Sequence, residues 1–316
     1  MILLLLLVGL GLVVLGADWL VDGASAIARK AGISDFVIGL TIVGFGTSCP
    51  ELVVSLTGAF HGNADISVGN VIGSNIFNTL FILGVTSLVM PVSVTRANRR
   101  RDVPLTIGIT VLLIALGMSS TLFGIGKDNS ITRMEGSVLL AVFAIYLFYC
   151  FKNDAVSDSG DTNKPMRIPI AVLLVFAGLA GLVFGGSLFV DSATTLARSI
   201  GVSDRFIAIT ILAGGTSLPE LATCIVAAAK HKDQLAIGNI LGSNVFNILF
   251  ILGCSSLVTP LSFEGMSVVD IIALGISAIL PLLWSYIGSK EHIDRWEGAA
   301  MVLCYTVYGC YLFCKL

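Results

Sequence analysis

Charge is scarce in this chain. Only 12% of its 316 residues are Asp, Glu, Lys or Arg, about half the share of a globular domain. With 56% of residues hydrophobic, that scarcity excludes a soluble fold, which could not bury so much apolar surface. The net charge of −2 argues against nucleic acid as a partner. Histidine numbers three (61, 231 and 292), all in loops, and none invites a site. The seven cysteines (49, 150, 224, 254, 304, 310 and 314) show no CxxC pairing, so neither a disulfide framework nor a zinc site is indicated. They read as small apolar packing residues. There is no HExxH, no GxSxG and no evident nucleophile dyad, which sets aside an enzyme, and no cofactor is indicated.

What the chain does have is long apolar runs. Blocks of 18 residues or more recur along it, the length that crosses a bilayer as a helix. The class is an all-α polytopic membrane protein, with the lipid bilayer as its surroundings and no obligate protein partner evident. The N-terminal run Leu3–Leu15 has no basic stretch before it, and a similar run recurs at Ala180–Val190. It therefore reads as a retained first helix rather than a signal peptide.

The second half repeats the first. Residues 39–52 read GLTIVGFGTSCPEL and 208–221 read AITILAGGTSLPEL; residues 69–78 read GNVIGSNIFN and 238–247 read GNILGSNVFN. Both pairs are offset by 169 positions without a gap, and the same offset aligns Asp22 with Asp191, Arg29 with Arg198 and Ser34 with Ser203. Near the ends, ITRMEG (131–136) matches IDRWEG (293–298). Each copy holds five apolar segments, roughly 1–28, 36–60, 66–90, 103–122 and 131–151, then 168–197, 205–229, 235–259, 267–288 and 295–314. Residues 1–151 and 168–316 thus form two five-helix repeats of one integrated unit, joined by a short cytoplasmic linker, 152–167. Five is odd, so the second copy crosses in the opposite sense, the inverted-topology design of many secondary transporters. The expected architecture is ten transmembrane helices in two inverted repeats, with segments two, three, seven and eight broken around an ion site at the midplane. With the N-terminus outside, the inward loops hold 13 of the 18 lysines and arginines, led by Arg96, Arg99, Arg100 and Arg101, as the positive-inside rule requires. Both termini then face outside. Ser34 and Ser203 precede their helices as N-caps.

Segments two and seven each carry a glutamate in mid-helix, Glu51 and Glu220. A carboxylate at the bilayer centre costs at least about 2.5–3.5 kcal/mol and needs a partner. The interiors of segments two, three, seven and eight contain no Lys or Arg, so the missing counter-charge is most simply an ion from outside. Gly44, Gly46 and Pro50 precede Glu51; Gly214, Gly215 and Pro219 precede Glu220. Proline removes a donor and crowds the carbonyl four residues back, and glycine lets the chain bend. Carbonyl oxygens around Gly44, Thr47, Ala213 and Thr216 are therefore expected to leave the helical ladder. That is tolerable at this depth only where they line a cavity or are buried in protein. Thr47, Ser48, Thr216 and Ser217 add hydroxyls beside the carboxylates.

Segments three and eight supply a second wall. Asn70, Ser74 and Asn78 recur at every fourth position, as do Asn239, Ser243 and Asn247, while Asn75 and Asn244 lie on a neighbouring face. Gly69, Gly73, Gly238 and Gly242 allow close helix approach. Together these residues make an all-oxygen site with two formal negative charges. Calcium takes about 6–8 oxygen ligands, and the two glutamates would neutralise one Ca²⁺; several Na⁺ ions could share the same oxygens. No His or Cys cluster accompanies the carboxylates, Cys49 alone being adjacent, which disfavours transition metals.

At these residues the chain resembles the cation/calcium exchanger superfamily, in its sodium/calcium exchanger branch. GTSCPEL with GNVIGSNIFN, and GTSLPEL with GNILGSNVFN, are similar to that family's two repeats, and the similarity extends over all ten segments. The resemblance implies that Glu51 and Glu220 bind Ca²⁺, helped by the carbonyls of Thr47 and Thr216. It implies sodium sites at Ser48, Ser74, Ser217 and Ser243 with the carbonyls of Gly44 and Ala213, and a central position lined by Asn78 and Asn247. It also implies exchange of about three Na⁺ for one Ca²⁺, which moves net charge through the membrane potential. Some relatives, including potassium-dependent ones, carry aspartate where Asn247 stands, so its amide favours potassium-independent exchange.

The expected mechanism is alternating access. Two close carboxylates without ions repel, so the empty site does not switch sides readily; Ca²⁺ or Na⁺ restores neutrality and permits rocking. The two ions compete for the same oxygens and so travel alternately, which is antiport. Segments one and six, long and rich in glycine, are the candidates for the moving part. One rival reading is a proton/calcium antiporter using the same two glutamates. Another is a calcium channel, which tight neutralising sites fit less well because they slow release. Away from the site, Asp22 and Asp191 are expected to be solvated or structural, Glu135 and Glu297 to cap segments five and ten, and Arg133 and Arg295 to anchor at the interface. The expected location is the cell membrane.

Overall fold

The computed structural model describes residues 1–124, 128–152, 166–201, 213–287 and 291–315. In chain order its helices are α1 (Ile2–Ala31), α2 (Asp35–Thr47), α3 (Cys49–Phe60), α4 (Ala64–Val89), α5 (Val103–Gly117), α6 (Ser119–Phe123), α7 (Arg133–Lys152), α8 (Ile168–Ser199), α9 (Ala213–Gly215), α10 (Leu218–Ala229), α11 (Asp233–Val258), α12 (Val268–Trp284) and α13 (Arg295–Lys315). Among the described residues six helices (α1, α4, α7, α8, α11 and α13) are long and apolar enough to cross a membrane, and the bent pair α2–α3 makes a seventh if read as one span. Residues 153–165 of the expected linker, the expected N-cap Ser203, and the start of segment seven through residue 212 lie outside the described residues.

Two of the four expected breaks are present. α2 and α3 meet at Ser48 with a bend of 49°, because Pro50, in the first turn of α3, has no N–H to bond the carbonyl of Gly46. Pro219 does the same in the first turn of α10, after an interruption at Thr216 and Ser217. The other two are corrected: segments three and eight are continuous 26-residue helices. They contain no proline, and glycine by itself leaves the hydrogen-bond ladder intact. Each absorbs its irregularity as a π-turn instead, at Phe77–Ile82 in α4 and Phe246–Ile251 in α11, a widening that often accompanies a functional site. Segment four, expected to run unbroken, is interrupted at Met118 between α5 and α6.

Packing mixes the halves. α1 and α8 lie along each other over most of their length. Their glycines allow it: a Cβ on Gly16 would stand 2.7 Å from Leu182 N, and one on Gly178 2.6 Å from Leu20 N. α13 packs on α4, and α7 on α11. Two short antiparallel ladders tie loops together, β1 (Val92–Ser93) with β4 (His292–Ile293) and β2 (Ser130–Ile131) with β3 (Leu261–Ser262); each joins one half to the other.

Local signals read from the sequence are realised at several helix ends. Ser34 Oγ accepts the Val37 N–H at 3.2 Å. Glu135 accepts from the Thr132 N–H at 2.7 Å, and Glu297 from the Asp294 N–H at 2.8 Å, so both acids cap their helices. Arg133 and Arg295 do more than anchor: Arg133 donates to Val258 O at 3.1 Å and Arg295 to Val89 O at 3.5 Å. Each thus caps the C-terminal end of a helix in the opposite half, where cations are favoured. Asp22 is paired with Lys230 at 2.7 Å, whereas Asp191 is exposed.

Candidate ion-binding site

The two breaks place Glu51 in the first turn of α3 and Glu220 in the first turn of α10. Free N–H groups and the positive end of the helix dipole favour a carboxylate there. Both glutamates are 1% exposed. α3 packs against α11 of the second half, and α10 against α4 of the first, so the carboxylates meet where the halves interlock. Ser48 Oγ donates to Glu220 Oε1 at 3.0 Å, and Ser217 Oγ donates to Glu51 Oε1 at 2.9 Å. All four residues obey the 169-residue offset, so each half's serine holds the other half's carboxylate. The second oxygen of each carboxylate, Oε2, is buried and has no hydrogen-bond partner. Among the described residues neither glutamate has a Lys or Arg partner.

Asn78 and Asn247 occupy the π-turns of α4 and α11. Their Oδ1 atoms are likewise buried and without a partner. Ser74 is buried on α4, and Ser243 Oγ reaches the Gly44 carbonyl at 3.5 Å. The Thr47 hydroxyl lies 3.5 Å from Gly44 O and 3.2 Å from Asn239 Oδ1. Thr216 sits half-buried at the second break, and Ala213 opens α9. The Gly44 carbonyl, expected to leave the ladder, still accepts the Ser48 N–H at 3.1 Å, with the Ser243 and Thr47 hydroxyls each a longer 3.5 Å away.

The remaining asparagines of the second wall are supports. Asn70 donates to Glu51 O at 3.1 Å and to Ser55 Oγ at 2.9 Å. Asn239 donates to Cys224 Sγ at 3.2 Å. Sequence reasoning overlooked Ser55, Thr79 and Cys224 as parts of this network; their only signal was a position one helical turn from residues already singled out.

The arrangement has a clear electrostatic character. Five buried acceptor oxygens here, two from the carboxylates and three from Asn78, Asn244 and Asn247, have nothing to accept from, and unpaired buried acceptors and charges are costly. Acceptors of this kind suit hard, oxygen-loving cations.

Known proteins are similar over almost the whole chain. A profile of the sodium/calcium exchanger protein family matches residues 1–152 and 170–314. The putative antiporter CaxA of Alkalimonas amylolytica is 39% identical, with 97% of this chain and 97% of that protein covered. The sodium/calcium exchanger MaX1 of Methanosarcina acetivorans is 32% identical, with 98% of each chain covered. Among solved structures, the sodium-calcium exchanger NCX_Mj soaked with zero Na⁺ and Ca²⁺ superposes with a TM-score of 0.84 at 32% identity, covering 98% of both chains.

Proposed function

Since the chain belongs to the sodium/calcium exchanger family and is thus a membrane cation/calcium antiporter, we propose that it exchanges Na⁺ for Ca²⁺ by alternating access through the site shared by Glu51 and Glu220. One observation carries this reading. The Oε2 atoms of both glutamates and the Oδ1 atoms of Asn78 and Asn247 are buried and unpartnered, and no described basic side chain pairs with either glutamate. A mobile cation supplies the balance. Ca²⁺ takes the two carboxylates with the carbonyls of Thr47 and Thr216. Na⁺ ions use Ser48, Ser74, Ser217 and Ser243 with the carbonyls of Gly44 and Ala213. The two occupancies exclude one another because they share oxygens, and that exclusion couples the fluxes.

In this reading the ten segments cross the membrane as two inverted five-helix repeats, both termini outside the cell membrane and the linker inside. About three Na⁺ enter per Ca²⁺ leaving, so each cycle carries one charge inward and gains about 2.3 kcal/mol per 100 mV of inside-negative potential. Exchange is independent of potassium, because Asn247 adds no third carboxylate. The moving part is the α1–α8 pair. α8 touches the hinge on both sides: a Cβ on Gly46 would stand 2.5 Å from Leu179 Cδ2, and one on Gly215 2.7 Å from Val190 Cγ2. Sliding α8 therefore changes the walls beside both glutamates together.

The test is calcium flux in proteoliposomes with sodium, potassium and pH gradients imposed one at a time. Sodium-loaded vesicles are expected to take up Ca²⁺ with no requirement for potassium. Uptake driven by a pH gradient alone would replace this reading with proton/calcium exchange.

A further inference from the structure

We propose that Asn75 is a positioning residue: it fixes which end of the Asn247 amide faces the transported cations. The proposal rests on the ion-exchange reading above and extends it to a residue outside the ligand set. An asparagine amide has two unlike ends. Its oxygen attracts a cation and its NH₂ repels one. A run of hydrogen bonds between α4 and α11 removes that ambiguity.

Asn75 Nδ2 donates to the backbone carbonyl of Asn244 at 3.2 Å. A backbone carbonyl can only accept, so Asn75 must turn its NH₂ toward it and its Oδ1 away. Asn247 Nδ2 donates to that Oδ1 at 3.0 Å. An amide oxygen can also only accept, so Asn247 must spend its NH₂ on Asn75 and keep Oδ1 for another partner. That Oδ1 is buried with no partner, on the π-turn that packs against α3, the helix of Glu51. Asn75 and Asn247 are 2% and 0% exposed, so no bulk water can stand in for Asn75.

The other half lacks this anchor. Asn244, the repeat counterpart of Asn75, donates to Thr79 Oγ1 at 2.8 Å, and its Oδ1 accepts nothing from Asn78. A hydroxyl both donates and accepts, so it imposes no direction, and the counterpart of Thr79 is Ile248. Of the two amides at the centre, Asn247 is committed as an acceptor by its surroundings, and the commitment originates at Asn75.

The test is a double-mutant cycle on sodium-driven Ca²⁺ uptake by the full chain in proteoliposomes, using Asn75→Leu and Asn75→Ala, each alone and combined with Asn247→Ala. Each single Asn75 variant is expected to raise the KM for Ca²⁺ about 10- to 150-fold, the scale of a lost hydrogen bond to a charged group, with kcat changed far less. In the Asn247→Ala background the same substitutions are expected to leave KM unchanged, because no amide is left to orient. Additive effects, an unchanged KM in both single variants, or failure of both to fold while Asn247→Ala folds would each overturn the proposal in favour of a structural role. Wild-type protein with no sodium-driven uptake would instead remove the exchange reading itself.

Discussion

In the first half, Asn70 props the start of α3 through Ser55 Oγ and the Glu51 carbonyl; in the second, the equivalent Asn239 leans on a thiol, Cys224, and accepts from Thr47 across the interface. The groups proposed to face the cations are more nearly matched. Ser48 with Glu220 and Ser217 with Glu51 form the same bond twice, at 3.0 and 2.9 Å, and Asn78 and Asn247 sit at equivalent points of equivalent π-turns. A cation bound between the halves would see both at once, which would hold the residues touching it to one solution, whereas supports need only hold the backbone and are met in different ways. The ends of the molecule differ more. Lys230 bridges Asp18 and Asp22 at 2.7 Å each, but the positions 169 residues away are His61, Ser187 and Asp191, and His61 bonds the Thr57 carbonyl instead.

The largest effect is expected at the carboxylates. Glu51→Gln and Glu220→Gln each remove one of the two charges proposed to balance Ca²⁺, and each is expected to lower sodium-driven Ca²⁺ uptake at least about 100-fold, the scale of breaking a buried charge pair. Equal losses in the two variants support the symmetric half of the comparison; activity retained in either breaks it. Next come the serines. Ser48→Ala and Ser217→Ala each delete one hydrogen bond to a carboxylate and are expected to raise the KM for Ca²⁺ about 10-fold. The two effects should agree within about twofold if the reciprocal bonds are equivalent, and vesicle uptake across a calcium series measures both.

The supports are expected to matter less. Cys224→Ser gives the second half the hydroxyl that the first half has in Ser55. Because Asn239 Nδ2 keeps an acceptor, the thermal midpoint and KM should move by no more than about 0.5 kcal/mol in free energy. A large loss would show that the two supports are not interchangeable. Smallest of all is Lys230→Met, expected to cost about 0.5–1 kcal/mol in thermal stability, as for a partly exposed ion-pair network. Burial alone would lower the Lys230 pKa, but the hydrogen bonds and charges of Asp18 and Asp22 outweigh it and raise it above the ordinary 10.5. A raised lysine contributes stability that is fully present below its unfolded pKa and is lost as pH rises through its folded one. The difference between wild type and Lys230→Met should therefore stay constant from about pH 6 to 9 and shrink only in more alkaline solution. A difference that fades near neutral pH would contradict the pairing.

Much of this was legible in the residues themselves. The breaks beside Glu51 and Glu220 follow from Pro50 and Pro219, since a missing N–H cannot be compensated within the helix. The pairing of the halves follows from the gapless repeat. The π-turns were not legible, because widening the ladder by one residue depends on packing and leaves no compositional mark; segments three and eight were therefore expected to break and instead run through. Met118 interrupts segment four without a proline to announce it. The two-residue ladders are too short for any alternating pattern. Asp22 found its partner in Lys230, 208 residues away in sequence, a distance that only the fold closes. Asn75 read only as a polar residue on a face beside the second wall, because the direction of an amide is decided by its neighbours' chemistry and not by its spacing.

Calcium binding at equilibrium by the purified chain, titrated with Na⁺, reaches the central claim most directly. One Ca²⁺ per chain, displaced steeply by Na⁺ and absent from both Glu51→Gln and Glu220→Gln, is what two shared carboxylates require. Calcium that stays bound in the presence of Na⁺, or that binds undiminished when either glutamate is neutralised, would place the exchange site elsewhere.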